Sequence, residues 1–458
     1  MGIGGSGISA VGSLAKLEGF EVSGCDLDLE SAYLGKIKEL NIPVFKGHDK
    51  KHLENSDLLV ISPAVFYQNS RHSEFKVAKQ KDKLITWQSF LGKFILKDKK
   101  VIAISGTHGK GSTTAIASLI FEKAGLDPSV LLGAKVKKWN SNFRLGRSGL
   151  FIVEADEFND NFLNYSPEIA IIGNIEFDHP DYFSSEREVL KSFRGFVKRL
   201  KGDRILIVNQ DSPGIKKLFK MLGSYANNLK VYGYTFSEKP KLKLNNSVRI
   251  KVKKLGKDGT EFSIKSSQLR LDDTLKINLT GEYNVANAAA SIILANLFDI
   301  KNIDIKTVLQ SNIGLGRRLD LIGEKGKIKV YDDYAHHPTA IAATLSGLRQ
   351  KYPKNRIWVV VEPHSYSRTK ALLEDYRRVF NNSEKVIIGP IFKARDKRNF
   401  GMSGDDIAEK SEHKDVIYLK KVDKIVENIL KDAKADDVII VMGAGKSFKW
   451  AQEILKSL

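Results

Sequence analysis

One stretch, residues 101–114, constrains the fold of this chain more than any other. The apolar run Val101–Ile104 breaks into a glycine-rich loop, and the chain re-enters a helix-compatible segment at Lys110. Backbone N–H groups in such a loop can approach an anion, and the dipole of the following helix favours negative charge. Lys110 stands where an ammonium group reaches the β- and γ-phosphates of a nucleotide. The stretch therefore predicts a strand, a phosphate-binding loop and a helix that together hold a nucleoside triphosphate.

The loop departs from the P-loop consensus at two positions. Ile104 replaces the first glycine, and Gly111 follows the lysine where serine or threonine is expected. Ser112 is therefore the predicted magnesium hydroxyl. A glycine-rich turn without a ligand is the alternative. The residues expected at the phosphates are Gly106, Thr107, His108, Gly109, Lys110, Gly111, Ser112 and Thr113.

Length and composition limit the class of protein. A chain of 458 residues is too long for one core, and we expect three domains, over residues 1–96, 97–313 and 314–458. Cys25 is the one cysteine in the sequence, which excludes an internal disulfide and favours a cytoplasmic protein. The sequence contains no apolar run of the length that membrane insertion requires.

The charge raises the question of a nucleic-acid partner. The formal net charge is +20, and basic chains bind polyanions without specificity. The lysines, however, are scattered and interrupted by acids, as in Lys97-Asp98-Lys99-Lys100. A basic stripe interleaved with aromatic residues is missing from the sequence. We therefore expect a solvated, lysine-rich surface and no nucleic-acid partner.

The chain opens with a second glycine loop, Gly2–Gly7, followed by a helical pattern. Its spacing fits G-x-G-x-x-G, and Asp26 supplies an acidic residue about twenty positions further on. Taken alone, this loop suggests an NAD-dependent oxidoreductase or a glycine turn without a ligand. The strand that should precede such a loop is missing because the sequence starts inside the loop. We expect a complete version to carry several more apolar residues upstream.

Polar side chains follow two further apolar strands. The run Leu150–Glu154 ends in a carboxylate and is followed by Asp156 and Glu157, and the run from Ile169 leads to Asn174 and His179. Ligands bind at the carboxyl ends of strands in open α/β sheets. Carboxylates beside a phosphate loop suit Mg²⁺, which prefers oxygen ligands. These strand ends therefore predict a magnesium site, although caps and salt bridges are the simpler reading of each strand end alone.

Residues 228–280 alternate apolar and polar positions, which predicts antiparallel hairpins appended to the parallel sheet. The alanine-rich helix that follows carries Asn287, which caps the helix or reads a base edge. Strands are next expected at Ile328–Tyr331, Ile357–Val361, Val386–Ile388 and Val438–Met442. Their alternation with helical segments predicts a second doubly wound domain. The late Gly443–Ser447 resembles a P-loop and is interpreted as a strand-to-helix turn.

The order of these motifs resembles one family along essentially the entire chain, the Mur ligases, which are ATP-dependent amide-bond-forming enzymes of peptidoglycan assembly. The matching segments are Gly2–Gly7, Gly106–Lys110, Glu154–Glu157, Asn174–His179, Gly281–Asn287, Arg317-Arg318, Asp332–Pro338 and Pro363–Thr369. The resemblance implies an α/β protein of three domains. The first is Rossmann-like, the central one is a mixed sheet of the P-loop ATPase type, and the last is Rossmann-like.

The resemblance also implies one reaction: a substrate carboxylate attacks ATP to give an acyl phosphate and ADP, and an amine then displaces phosphate. It implies Mg²⁺ and ATP as cofactors, one magnesium held by Ser112 and Glu154, and a second metal held by His179. Catalysis is assigned to Lys110, Glu154, His179 and Arg318. ATP contacts beyond the loop are assigned to Asn287, Arg318 and Asp333. Contacts with the UDP substrate are assigned to Gly4, Gly5, Ser6, Gly7, Asp26, Ser62 and His108. Contacts with the incoming amino acid are assigned to Tyr334, His336, His364 and Arg368.

Within the family, the motifs are similar to two branches. One branch adds L-alanine to UDP-N-acetylmuramate, and the other recycles murein tripeptide onto the same nucleotide. The recycling branch has an extra basic and aromatic segment after its Glu-Ala-Asp-Glu, for which this chain has no room around Asn161. L-alanine is therefore the favoured amine. Three departures from the family pattern are Gly111-Ser112 after the lysine, Tyr283 in place of histidine and Ser365 in place of arginine.

A site divided among three domains implies closure on binding, with hinges near residues 97 and 314. The expected partners are small-molecule substrates, and the expected state is a monomer or homodimer. Two readings from other classes stay open at this point. An NAD-dependent oxidoreductase would bind NADH, and a non-catalytic nucleic-acid-binding protein would bind DNA in a salt-sensitive manner without ATPase activity.

Overall fold

The computed structural model describes residues 1–31, 33–68 and 71–458. The N-terminal domain contains two parallel strand pairs, β1 with β2 and β3 with β4. Its elements are α1 (Ser6–Leu17), β1 (Gly24–Asp26), α2 (Leu34–Glu39), β2 (Val44–Lys46), β3 (Leu59–Ile61), α3 (Pro63–Gln68), α4 (Ser73–Gln80), β4 (Leu84–Thr86) and α5 (Trp87–Phe90).

The backbone of Met1–Ile3 lies between the two strand pairs. The Gly2 N–H donates to the Cys25 carbonyl at 2.8 Å, and the Ser62 N–H donates to the Met1 carbonyl at 3.1 Å. These bonds join both pairs into one layer. The glycine loop that follows therefore leaves the middle of this layer, as in a dinucleotide-binding fold, and leads directly into α1.

The central domain is built on a ten-stranded sheet of order β14-β13-β12-β11-β10-β9-β5-β8-β6-β7. Its elements are β5 (Lys100–Ser105), α6 (Lys110–Lys123), β6 (Ser129–Val136), β7 (Ser141–Arg144), β8 (Leu150–Glu154), β9 (Ile169–Ile172), α7 (Glu186–Lys198), β10 (Ile205–Asn209), α8 (Pro213–Leu222), β11 (Lys230–Thr235), β12 (Ser247–Gly256), β13 (Gly259–Ser266), β14 (Leu271–Ile277), α9 (Glu282–Asn296) and α10 (Asn302–Leu309).

Strand β5 runs parallel to and between β8 and β9. Its residues Val101 to Ile104 are buried on both faces of the sheet, with α6 and α9 on one side and α1, α7 and α8 on the other. This double burial explains the unbroken apolar run. Because the three strands are parallel, their carboxyl ends bring the phosphate loop and the carboxylate segments to one edge.

The expected antiparallel hairpins over 228–280 are partly confirmed. Strands β12, β13 and β14 pair antiparallel, but β11 pairs parallel to both β10 and β12. The prediction was wrong for β11 because period-two alternation reports which face is buried and carries no information on strand direction.

The C-terminal domain has a six-stranded sheet of order β15-β16-β20-β17-β18-β19, parallel except for β15. Its elements are β15 (Asp320–Lys325), β16 (Ile328–Asp333), α11 (Pro338–Lys351), β17 (Ile357–Val361), α12 (Tyr366–Ala371), β18 (Lys385–Ile388), α13 (Gly404–Lys410), β19 (Val416–Tyr418), α14 (Val422–Asp432), β20 (Val438–Met442) and α15 (Ser447–Ser457). The four expected strands are confirmed, and the three-domain α/β organisation with them.

The turn Gly443–Ser447 contains its own anion. The Glu362 carboxylate accepts backbone N–H bonds from Gly445, Lys446 and Ser447 at 2.9–3.1 Å. A protein carboxylate thus fills the nest that a phosphate would occupy in a P-loop, in agreement with the interpretation of this segment as a structural turn. Throughout the described ranges, no helix is both long and apolar enough to cross a membrane.

Candidate active site

The phosphate loop connects β5 to α6 through two glycines in left-handed backbone conformations. Gly106 has φ +130° and Gly109 has φ +80°. A Cβ at Gly109 would lie 2.5 Å from Asn287 Oδ1, and one at Gly106 would lie 3.0 Å from the Asn174 carbonyl oxygen. The left-handed backbone therefore favours glycine at both positions, and a side chain at Gly109 would also have to displace Asn287. Helix α6 begins at Lys110, so its N-terminal N–H groups open onto the loop.

The segment after β9 holds the loop in place. The His108 N–H donates to Asn174 Oδ1 at 2.8 Å, and Asn174 Nδ2 returns a bond to the His108 carbonyl at 3.1 Å. The Glu176 N–H donates to Thr107 Oγ1 at 2.8 Å. The loop therefore keeps a defined shape through contacts with residues almost seventy positions away in sequence.

Lys110 is paired with the carboxylates that follow β8. Its ammonium group donates to Glu157 at 2.8 and 3.1 Å and to the Gly106 carbonyl at 2.8 Å, and Asp156 lies 3.7 Å away. Burial alone lowers the pKa of Lys110, but the two carboxylates outweigh burial and hold it above its ordinary value. Lys110 is thus a fixed cation at the mouth of the loop.

The three hydroxyls on the first turn of α6 have different surroundings. Thr113 Oγ1 donates to Asn287 Oδ1 at 3.2 Å, and Thr114 Oγ1 donates to the Lys110 carbonyl at 2.9 Å. Ser112 is half-buried, and its hydroxyl has no hydrogen-bond partner among the described residues. Asn287, expected to contact ATP, therefore lies beside the phosphate loop.

Glu154 ends β8 against the same first turn. Its Oε2 accepts the Gly133 N–H at 2.7 Å and would lie 3.4 Å from a Cβ at Gly111. Asp156, Glu157 and His179 form a separate group whose ligand atoms all lie within 4.8 Å of one another. The predicted metal ligands Ser112 and Glu154 therefore belong to the helix terminus, and His179 belongs to the carboxylate group beside Lys110.

His179 has a strained backbone and an engaged ring. Its φ is +55°, an uncommon value for a non-glycine residue. Its Nδ1 accepts a bond from Arg368 at 3.3 Å, while burial lowers the pKa of the ring. A neutral ring that accepts through Nδ1 carries its proton on Nε2. Binding of a cation by His179 therefore requires Arg368 to withdraw.

Arg368 joins the central and C-terminal domains. It is buried, and its Nε donates to Asp178 at 2.6 Å while its Nη1 donates to His364 Nδ1 at 2.6 Å. Burial opposes ionisation of Asp178, but the Arg368 guanidinium holds the pKa of this carboxyl well below its usual range. The guanidinium thus orients two histidines and one carboxylate.

A second interdomain group surrounds Glu176. Its Oε2 accepts from Thr339 Oγ1 at 2.8 Å and from His108 Nε2 at 3.3 Å. Burial opposes ionisation, but the His108 contact and the Thr339 bond lower the pKa of Glu176 to about 2. His337, the N-cap of α11, donates from Nε2 to the Phe177 carbonyl at 3.4 Å.

The adjacent arginines at the start of the C-terminal domain differ in their contacts. Arg317 is bonded to Asp332 at 2.8 Å, to the Gly443 carbonyl at 2.7 Å and to Ser447 at 2.9 Å. Arg318 is exposed and lies over the Tyr334 ring, 5.0 Å from its centroid. The Arg318 side chain is therefore accessible from solvent, and its role toward ATP stays a prediction.

Asp333 accepts hydrogen bonds from the backbone around it. Its carboxylate accepts the Leu319 N–H at 2.7 Å and the Ala335 N–H at 2.8 Å, and burial raises its pKa. These bonds fix the segment that carries Arg318 and Tyr334.

The expected amino-acid-binding residues converge. The His336 ring lies 5.3 Å from both the Tyr334 and the His364 rings, and the Arg368 guanidinium bonds to His364. Burial, together with Arg368, lowers the pKa of His364 to about 3 and holds that of His336 well below its usual range. Both rings are therefore neutral hydrogen-bonding groups at neutral pH.

The N-terminal loop is closed on itself and on the central sheet. The Gly4 N–H donates to Asp26 Oδ2 at 2.7 Å, the Gly4 carbonyl accepts from Ser31, and the Ser6 carbonyl accepts from Asn142 at 2.8 Å. A Cβ at Gly7 would lie 2.6 Å from the Trp87 ring. Of the other assigned positions, Gly5 is the N-cap of α1, and the Ser62 backbone bonds Met1.

Asp156, Glu157 and Asn174 were expected near a magnesium site, and Arg317 belonged to the matching arginine pair, but none was given a contact of its own. Glu176, Asp178 and His337 lay in recognised motifs without an individual role. A position shortly after an apolar strand could have identified Glu157 and Glu176 as site residues. No feature of the sequence identifies Tyr33 in this way. Its ring lies 5.5 Å from Lys135 Nζ, and burial together with nearby Tyr334 raises its pKa, so it marks where the three domains meet.

Three family models match successive parts of the chain. They are described as the Mur ligase family catalytic domain over residues 1–99, the Mur ligase middle domain over 104–295, and the Mur ligase glutamate ligase domain over 317–445. Together with the phosphate loop and its carboxylates, these matches define the class: the chain belongs to the Mur ligase family of ATP-dependent ligases.

Two ligases with the same name are similar to this chain along almost its whole length. The UDP-N-acetylmuramate–L-alanine ligase of Caldicellulosiruptor bescii is 34% identical over 100% of this chain and 97% of its own length. That of Clostridium botulinum strain Okra is 34% identical over 98% of this chain and 95% of its own length.

Solved structures share the fold. A UDP-N-acetylmuramate–alanine ligase from Thermotoga maritima matches with a TM-score of 0.78 and 21% identity, covering 99% of this chain and 97% of that one. A murein peptide ligase from Psychrobacter arcticus matches with a TM-score of 0.70 and 22% identity, covering 100% and 97%.

Proposed function

We propose that this protein joins L-alanine to the carboxylate of UDP-N-acetylmuramate, with ATP converted to ADP and phosphate. The observation that carries this proposal is the 34% identity, over the full chain, to ligases named for that reaction. A cytoplasmic location and the use of Mg²⁺ belong to the same proposal. Residues from three domains then share one task, which is to hold two substrates and the nucleotide together.

The phosphate loop fits ATP. Two left-handed glycines clear space around the backbone N–H groups at the start of α6, and Lys110 adds a fixed positive charge. In this assignment Lys110 neutralises charge on the β- and γ-phosphates, and Arg318 approaches from the C-terminal domain. Catalysis is mostly positioning and charge neutralisation, so an enzyme nucleophile is unnecessary.

The donor set at the start of α6 fits Mg²⁺. The Ser112 hydroxyl is half-buried and unpartnered within the described residues, and the Glu154 carboxylate lies against the same turn. Both are oxygen donors, as Mg²⁺ prefers. When bound there, the ion would supply Lewis-acid charge stabilisation to the phosphates.

The reaction itself balances without a covalent enzyme intermediate. A carboxylate oxygen of the muramoyl group bonds to the γ-phosphorus as ADP leaves, which gives an acyl phosphate. The amine then bonds to the acyl carbon, and phosphate leaves with the oxygen that came from the carboxylate. In this assignment the neutral rings of His336 and His364 orient the amine by hydrogen bonds.

A murein-tripeptide ligase is the second candidate, since such a protein from Psychrobacter arcticus shares the fold. Ser365 keeps the identity of the amine open, because it stands where an arginine is usual in L-alanine enzymes. Its hydroxyl instead accepts the Arg368 N–H at 3.2 Å, as the cap of α12. The connection after β8 argues against the recycling reaction. It consists of one short helical segment, Phe158–Asn164, before β9, and has no room for the extra segment of the recycling branch.

The experiment is a substrate panel. Purified protein is incubated with ATP, Mg²⁺ and UDP-N-acetylmuramate, and with L-alanine, glycine, L-serine, D-alanine or the tripeptide in separate reactions. Phosphate release and the mass of the nucleotide product are measured. We expect the L-alanine adduct to form fastest. Product with tripeptide and none with L-alanine would transfer the proposal to the recycling reaction.

A further inference from the structure

Four side chains with metal-binding chemistry meet in the N-terminal domain, at a distance in the fold from the phosphate loop. They are Cys25 on β1, His48 after β2, His52 in the short helical turn Lys50–Leu53, and Glu74 in the first turn of α4. Cys25 is 2% exposed, and the side chains of His48 and Glu74 are 2% and 1% exposed. The ligase reaction proposed above uses none of them.

Their potential ligand atoms are close together. Cys25 Sγ lies 3.1 Å from His48 Nδ1 and 3.4 Å from Glu74 Oε2. Glu74 lies 3.7 Å from His52 Nδ1 and 3.9 Å from His48 Nδ1. Zinc bonds of about 2.0–2.3 Å in a tetrahedron place neighbouring ligand atoms roughly 3.2–3.7 Å apart. Cys25, His52 and Glu74 place one potential ligand atom each within 4.8 Å of one another, and His48 Nδ1 lies beside two of them, Cys25 and Glu74. These separations are close to those that one such ion imposes.

His52 adds an independent observation. Its Nδ1 is buried and, among the described residues, has no hydrogen-bond partner. The His52 ring is held by stacking on Phe45, with ring centroids 4.9 Å apart. A buried nitrogen without a donor or acceptor is costly unless another ligand completes it. This unpartnered nitrogen lies 3.7 Å from a Glu74 carboxylate oxygen, beside the other potential ligands.

The charges of the four groups balance those of a divalent cation. A thiolate and a carboxylate supply two negative charges, and the two imidazoles bind as neutral ligands. Without a cation, burial raises the pKa of Cys25 to about 12, so that the thiol stays protonated, and burial with His72 lowers that of His48. The Met1 ammonium group and the His72 ring face the cluster as well.

We propose that Cys25, His48, His52 and Glu74 form a structural Zn²⁺ site. Thiolate and imidazole are ligands that select zinc over Mg²⁺ or Ca²⁺, and four protein ligands leave no open position for catalysis. The ion joins β1, the loop after β2 and α4, in a domain whose strands have only three residues each. It also stiffens the backbone behind the glycine loop, because the Gly2 N–H donates to the Cys25 carbonyl.

Metal content tests the stoichiometry. The full-length protein is saturated with ZnCl₂, passed over a desalting column containing a weak chelator and analysed by elemental mass spectrometry. We expect about one zinc per chain, at least tenfold weaker retention in Glu74→Gln and His52→Ala, and none in Cys25→Ser. His413→Ala is the matched control, since that histidine bonds the Ser383 carbonyl in the C-terminal domain, and it should retain zinc fully.

Cobalt spectroscopy separates this site from the histidine clusters of the active site. Cys25 is the one cysteine in the sequence, so a sulfur-to-cobalt charge-transfer band from Co²⁺-substituted protein reports this site alone. We expect the band in wild type and its loss in Cys25→Ser, and zinc should displace the cobalt. Zinc bound without such a band, zinc retained equally by Glu74→Gln, or no retained zinc in folded wild type would each overturn the proposal.

Discussion

At the scale of single residues, Lys110 has two roles that can be separated. It is the proposed phosphate cation, and it is the partner of the buried Glu157 carboxylate. Removal of one member of a buried ion pair leaves an uncompensated charge, which costs about 3–5 kcal/mol. The same substitution therefore affects both catalysis and stability.

Lys110→Ala is expected to abolish phosphate release and to lower the free energy of unfolding by a few kcal/mol. Pairing it with Glu157→Gln should restore most of the stability without restoring activity, as the buried charge is then absent. Denaturant unfolding and a phosphate assay measure the two effects. Lys123→Ala, at the exposed end of α6, is the control. Activity retained by Lys110→Ala would exclude the phosphate-loop assignment.

The hydroxyls of Ser112 and Thr113 should respond differently to substitution. Ser112→Ala is expected to raise the Mg²⁺ concentration needed for half-maximal activity by about tenfold, because it removes an oxygen donor. Thr113→Ala should instead cost about 1 kcal/mol of stability, since its hydroxyl bonds Asn287. Magnesium titrations of both variants show which hydroxyl binds the metal. A larger increase in the Mg²⁺ requirement for Thr113→Ala than for Ser112→Ala would assign the metal to Thr113.

At the scale of elements, the strand, loop and helix around Lys110 were predictable, because glycine conformation and helix-terminus chemistry are local. The residues that these elements contact elsewhere in the fold could not be predicted from the sequence. Lys110 meets Glu157 and Arg317 meets Gly443 only through sheet order, and nothing local distinguishes Arg317, which is engaged, from its exposed neighbour Arg318. The cluster around Cys25 has irregular spacing in sequence and therefore formed no motif.

Helix α11 should become less stable in acid. Its cap, His337, accepts the Thr339 N–H on Nδ1, and burial together with nearby His108 lowers the pKa of His337 to about 4. Between an ordinary pKa near 6.5 and this value, the unfolded state binds a proton that the folded state excludes. Stability therefore falls as pH falls, by about 1.4 kcal/mol per pH unit from this ring.

Unfolding of wild type and His337→Gln, measured from pH 8 to pH 4, checks this expectation. At pH 8 the variant should be less stable by about 1 kcal/mol through loss of the cap. The difference should shrink and reverse as pH falls below about 6. If the difference in unfolding free energy between the two proteins stayed constant across this pH range, the pKa of His337 would be the same in the folded and unfolded states, and the expectation would be wrong.

At the scale of the whole molecule, the site exists only where the three domains meet. Arg368 of the C-terminal domain bonds Asp178 of the central one, and Gln350 of α11 donates to the Gly256 carbonyl at the end of β12 at 2.9 Å. The three-domain architecture was predicted correctly from motif order. The contacts that close the domains were not, since they join residues far apart in sequence.

Arg368→Lys should weaken closure and reduce the turnover number at least tenfold. A lysine ammonium cannot reproduce the planar fork that bonds Asp178, His364 and His179 together. Small-angle X-ray scattering with ATP analogue and UDP substrate should show a larger radius of gyration than for wild type. Arg377→Lys, which changes an exposed pair with Glu374, should match wild type. An unchanged radius and turnover in Arg368→Lys would show that this bridge does not control closure.

The most direct measurement of the central claim follows one oxygen atom. UDP-N-acetylmuramate labelled with heavy oxygen in its carboxylate is incubated with ATP, L-alanine and the protein, and the released phosphate is analysed by mass spectrometry. Activation through an acyl phosphate predicts that each phosphate carries one heavy oxygen from the carboxylate. Unlabelled phosphate, formed together with the amide product, would contradict the account.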